Sequence, residues 1–188
     1  MATNNALNLA LSGSTGTGSF VGSTSATLVT PVLGAASATS LTFSSTSGII
    51  GTTTNNNAAT GSVGQYVDGG LVSAVSFVTS GTYQAMTSIS LTAGDWDVSF
   101  SAQIFPTTLT TFLIGGLTTV IATPATVGSG QFYSSNGSGG YASGAAVTFS
   151  GQLRFSLSST TTVYLSGAAT YTSTAPGYYC QMTARRER

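Results

Sequence analysis

The sequence predicts an all-β protein, with a β-sandwich over residues 69–188 and an extended segment over residues 1–68. Three observations predict it. Apolar and polar residues alternate with a period of two in several stretches, the mark of half-buried strands. Turn signals separate those stretches. The composition is rich in the strand formers Thr, Val, Tyr and Phe, while good helix formers other than Ala and Leu are scarce. Ser and Thr supply 62 of the 188 residues and Gly another 24.

The strands follow in order. Segments 71–79 and 84–91 read as the first two. Trp96, Val98, Phe100, Ala102 and Ile104 then alternate with Asp95, Asp97, Ser99, Ser101 and Gln103, the clearest row in the chain. Segment 109–121 is more apolar and reads as buried on both faces. Leu153, Phe155 and Leu157 form a further row. Val163, Leu165, Gly167, Ala169 and Tyr171 form the next. Tyr178, Cys180, Met182 and Ala184 close the chain opposite Tyr179, Gln181, Thr183 and Arg185. Turn signals stand at Ala93-Gly94, Gly115-Gly116, Ser150-Gly151 and Pro176-Gly177. About eight strands in such a length fit a sandwich, with the jelly roll as the preferred version.

Residues 1–68 are different. Their apolar residues come in small clusters (Phe20-Val21, Leu28-Val29, Val32-Leu33, Leu41 with Phe43, Ile49-Ile50) set in Gly, Ser and Thr. Such clusters remove too little apolar area from water to offset chain entropy within one copy. Several copies wound together would bury them. The expectation is an intertwined stalk that anchors the subunit, with a disordered segment as the alternative.

The charge inventory limits the chemistry. The net charge is zero, His is absent, and the charged residues are Asp68, Asp95, Asp97, Glu187, Arg154, Arg185, Arg186 and Arg188. Ser-His-Asp and Cys-His catalysis are excluded, and the usual zinc sites cannot be built. The expectation is a protein with no catalytic residues, no metal and no cofactor. Three arginines in the last four residues make no basic stripe for phosphates, so nucleic acid is not an expected partner. No segment has the roughly 20 apolar residues that span a bilayer. The N-terminal residues lack the basic start of a secretory signal, so folding in a cytosol is expected. The single cysteine, Cys180, excludes an intrachain disulfide and reads as a buried apolar residue.

Several residues carry competing readings. Trp96 would stack on a sugar if exposed, but its row places it on the core face. Asp95 and Asp97 share one strand face. Pairing with Arg154 or the terminal arginines, or simple solvation, is favoured over Ca²⁺. Asp95, Asp97, Arg154, Arg185 and Arg186 are therefore candidates for ion pairs at an interface between copies, where they would fix register. The terminal arginines have a second reading, as an anion site for a phosphorylated receptor. Residues 128–144, GSGQFYSSNGSGGYASG, read as a long loop. Phe132, Tyr133, Asn136 and Tyr141 combine rigid aromatic area with adaptable polar groups there, as receptor-binding loops do. A plain flexible connection is the alternative.

Four stretches carry a family resemblance: residues 13–40 (GSTGTGSFVGSTSATLVTPVLGAASATS), 61–67 (GSVGQYV), 86–100 (MTSISLTAGDWDVSF) and 153–186 (LRFSLSSTTTVYLSGAATYTSTAPGYYCQMTARR). In this order they resemble tail-fibre and other appendage proteins of tailed bacteriophages. The third matches a strand pair with an A-G-x-W-D-V signature, and the fourth the closing strands with an A-R-R tail. The resemblance implies a homotrimer with a jelly-roll head akin to C1q- and TNF-like heads. It also implies attachment to a host-surface receptor, a glycan or a protein. The N-terminal segment would meet other virion proteins, and the protein would be assembled in the host cytoplasm and displayed on the virion. Tail fibre, tail tip and head fibre all remain open, as does a purely structural decoration protein without a receptor. A bacterial adhesin and a polysaccharide-degrading appendage are the remaining rivals.

Overall fold

The computed structural model describes residues 54–106, 112–122, 133–136 and 146–188, and Ser40. Of residues 112–114 and 133–136 the backbone alone is described. The stalk readings on residues 1–39 and 41–53 lie outside the described residues, as do Phe132 and Tyr141.

Among the described residues eight strands form: β1 (Tyr66–Ser76), β2 (Gln84–Leu91), β3 (Gly94–Phe105), β4 (Phe112–Thr118), β5 (Tyr133–Asn136), β6 (Val147–Leu157), β7 (Thr161–Thr170) and β8 (Gly177–Arg186). They make two four-stranded antiparallel sheets. The first sheet has the order β1-β8-β3-β6 and the second β2-β7-β4-β5. The pairing is nested: β1 with β8, β2 with β7, β3 with β6, β4 with β5. The chain thus behaves like one long hairpin folded over itself, with β3–β8 and β4–β7 pairs joining its arms.

The core lies between the sheets and is filled by the inward rows of the strands. Trp96, Val98 and Ile104 of β3 are fully buried, as are Leu165 of β7 and Met182 of β8. Aromatic rings fit edge to face, as Phe100 does against Phe149 at 6.0 Å between centroids. Burial of one face is what preserves the period of two in β3 and β8.

Three details differ from the sequence reading. Gly115-Gly116 lies inside β4, not at a turn. A side chain at Gly115 would stand 2.5 Å from the Phe149 ring, so glycine there admits a ring from the facing sheet. Ser150-Gly151 lies inside β6, where Gly151 pairs with Phe100. Segment 128–144 is not loop throughout, because β5 forms within it along Leu113–Gly116 of β4.

β1 is an irregular edge strand. Its register against β8 shifts twice, between Asp68 and Leu71 and between Val72 and Val75. Gly70 and Ala74 have positive φ at these shifts. Bulges of this kind twist an edge away from a straight ladder.

Candidate functional site

The charged residues gather at one end of the first sheet. Gly94 opens β3 with φ +135°, and a side chain there would collide with the Arg186 guanidinium. The turn brings Thr92, Ala93 and Asp95 against the end of β8. The backbone closes the junction: Arg186 N–H donates to Gln65 C=O at 2.8 Å and Glu187 N–H to Asp95 C=O at 2.9 Å. Gly64 N–H donates to Arg186 C=O at 2.9 Å. The entry to β1, the β2–β3 turn and the last residues are thereby joined in one clasp.

Arg186 is the centre of this clasp. Its parity on β8 puts it in the inward row, and only 5% of it is exposed. The guanidinium lies over the Trp96 ring, 4.3 Å from the centroid. It donates to Ala93 C=O at 2.8 Å, to the Thr92 hydroxyl, and to Gln65 Oε1 at 3.2 Å. A ring face and three polar acceptors thus take the place of a carboxylate. The sequence reading gave Arg186 a place in ion pairs between copies; the structure instead buries it in its own chain. Trp96 is fully buried, with its Nε1–H donating to Thr92 C=O at 2.9 Å, so no sugar stacks on it.

Asp95 is buried on the outward side of the same turn. Its Oδ2 accepts from Arg154 at 2.9 Å and from Arg188. The Ser156 hydroxyl, then Arg188 and Arg154, hold its carboxyl well below the usual range, at about 2. Asp95 and Arg154 therefore meet within one chain. Asp97 accepts a hydrogen bond from Gln152 at 3.2 Å. It stands directly across the ladder from both Arg154 and Arg185, and forms no salt bridge with either. Arg185 is exposed.

The outward face of the first sheet carries shallow depressions in a row. One, about 370 Å³, is lined by Tyr66, Asp97, Ser99, Gln152, Thr183 and Arg185, among others. Two smaller ones continue past Ser101 and Gln181 to Leu71 and Tyr179. The floor is hydroxyl and amide. Phe105 and Tyr179 meet edge to face at 5.2 Å at the far end.

Of the proposed receptor residues, Tyr133 and Asn136 are the first and last residues of β5. Among the described residues, no group of three His, Cys, Asp or Glu side chains is placed to hold a metal. Sequence reasoning missed Gln65 and Thr92 as members of the clasp, while the contact of Arg188 with Asp95 is one of the pairings it favoured. Arg186's place in the inward row was the one available signal. A scan against protein-family models finds no match, and a search of curated proteins finds no related chain.

Proposed function

We propose that this chain is a non-enzymatic virion appendage that attaches a bacteriophage to its host surface, with a glycan as the receptor. The reading takes the sandwich, whose first strand begins at Tyr66 instead of after residue 68, as a jelly-roll head of the C1q/TNF-like kind in a homotrimer, and the segment before it as a stalk held by other virion proteins. Three copies of one receptor loop, carrying Phe132, Tyr133, Asn136 and Tyr141, would act together, so weak single contacts suffice.

One observation carries the reading. Two of the stretches that resemble phage appendages, A-G-x-W-D-V at residues 93–98 and A-R-R at 184–186, interlock in space. Arg186 of one covers Trp96 of the other and donates to Ala93. Pieces that are weak by themselves thus form one structural unit. The nested order of the eight strands supports the jelly-roll part, since two interleaved four-strand keys define that fold.

The test combines mass, labelling and adsorption. Light scattering is expected to give three times 18.7 kDa. Antibody against the chain is expected to decorate purified virions and to block their adsorption. Decoration without any effect on adsorption would leave a structural decoration protein. A monomer that labels no virion would refute the proposal.

A further inference from the structure

The described residues expose seven large apolar side chains, and five of them, Val63, Tyr66, Leu71, Val75 and Val78, lie on β1 or beside it. Leu71 is 66% exposed and Val78 83%. Scattered apolar residues on a surface need no explanation, but several along one edge strand do; Tyr66 and Leu71 register with the outward row of β8, and Val75 with the inward Tyr178. The bulges in β1 make that edge a poor template for an added strand. A partner there would be gripped by side chains instead of by a continued ladder.

Tyr66 and Leu71 also rim the depressions on the outward face of the first sheet. The charges of that face, Asp68, Asp97, Arg154, Arg185 and Glu187, lie toward the clasp end, and the remainder is hydroxyl and amide, so covering the remainder strips no ions of water. Two of the charges are an unjoined pair of opposite sign. Arg185 makes no ion pair among the described residues, and Asp97 is bonded to the Gln152 amide. The two sit at the same height, directly across the β3–β8 ladder. Their own chain thus offers both halves of an ion pair that it does not form.

We infer that the outward face of the first sheet, with its β1 rim, is the surface on which a second copy of this chain docks, Arg185 of one copy meeting Asp97 of the next. A donor and an acceptor at one height can meet around a closed symmetry axis, the threefold of the homotrimer reading or a twofold, and the solution mass tells the two apart. This rests on the homotrimer reading above and names the surface that reading leaves open. A hydroxyl-rich ligand such as a linear glycan is the competing occupant. The apolar edge and the complementary charges favour a copy of the chain.

The experiment measures solution mass against concentration for the full chain and four variants: Leu71→Asp, Arg185→Asp, Asp97→Arg and the double exchange. All substituted side chains lie at the surface, and far-UV circular dichroism checks that each variant folds. Leu71→Asp is expected to be a monomer. Each single charge variant is expected to associate about tenfold or more weakly, as close charge pairs across interfaces do. The double exchange is expected to recover most of that loss. If the wild type associates and all variants match it, the docking surface is elsewhere while the multimer stands. If the wild type is a monomer, both readings fall. Binding of maltohexaose or chitohexaose to such a monomer, lost in Leu71→Asp, would assign the face to sugar.

Discussion

Replacing Arg186 with Ala should unfold the sandwich at markedly lower denaturant. The guanidinium over Trp96 is desolvated, and a cation–π contact of that kind contributes about 2 kcal/mol. Its departure leaves Ala93 C=O and the Thr92 hydroxyl without their donor, but both residues are exposed, so water takes its place at little cost. Gln65 Oε1 keeps a donor, because Gly61 N–H still donates to it at 2.8 Å. No unpaired charge remains, since the charge itself is removed, so the larger penalty for breaking a buried ion pair does not apply. The expected loss is about 2 kcal/mol. With an m-value of about 2 kcal/mol/M in urea, the midpoint falls by about 1 M. Arg186→Lys keeps the charge but loses the planar fork, and should lose about half as much. Trp96 is the only tryptophan, so its emission reports the site directly. The comparison is made at one protomer concentration, because association raises apparent stability. A midpoint for Arg186→Ala within about 0.2 M of wild type would refute this account of the clasp.

Two further outcomes concern titration. Asp95 has a folded pKa of about 2 against an ordinary 3.8, so its contribution is complete above pH 4 and fades as pH falls toward 2. Urea midpoints measured across that window should fall further for wild type than for Asp95→Asn; parallel curves would contradict the assignment. Burial pushes the Cys180 thiol up to about 12. A thiol reagent at pH 8 should therefore label Cys180 only as fast as the protein opens, and immediate stoichiometric labelling of the folded chain would contradict its burial.

The strands were legible where one face is buried and the other wet. β3 and β8 show this most clearly, because every second residue of each enters the core. The glycines misled for a physical reason. At Gly115 the sequence shows a missing side chain, and only the facing sheet shows that the Phe149 ring takes its place. β5 was hidden because Tyr133–Asn136 is short and polar, and gains its strand form by pairing with β4. Arg186 set two sequence rules against each other. Its parity assigns it to the core and its charge to the surface. The side that won depends on Trp96, far away in the chain. Pairing between distant strands is written in no local pattern.

The use of the arginines follows from their scarcity. In a chain with four cations, each one placed in a fixed geometry removes much of its capacity for loose electrostatic contact. Arg154 and Arg188 converge on Asp95, and Arg186 is enclosed beside Trp96. All three sit where the entry to β1, the β2–β3 turn and the end of β8 meet. That is the point at which a sandwich made by folding one long hairpin has both ends of its chain to secure. Hydrophobic burial alone holds the sheets together but does not choose how those ends are tied, because it has no direction. Directional, charge-assisted bonds supply that choice. Arg185, the next residue along, points the other way by strand parity and is left out of the clasp. It is the one described cation still available for a contact beyond its own chain, with Asp97 beside it as the matching anion. With so few charges, solubility falls largely to hydroxyls and amides, which line most of the same face away from the clasp.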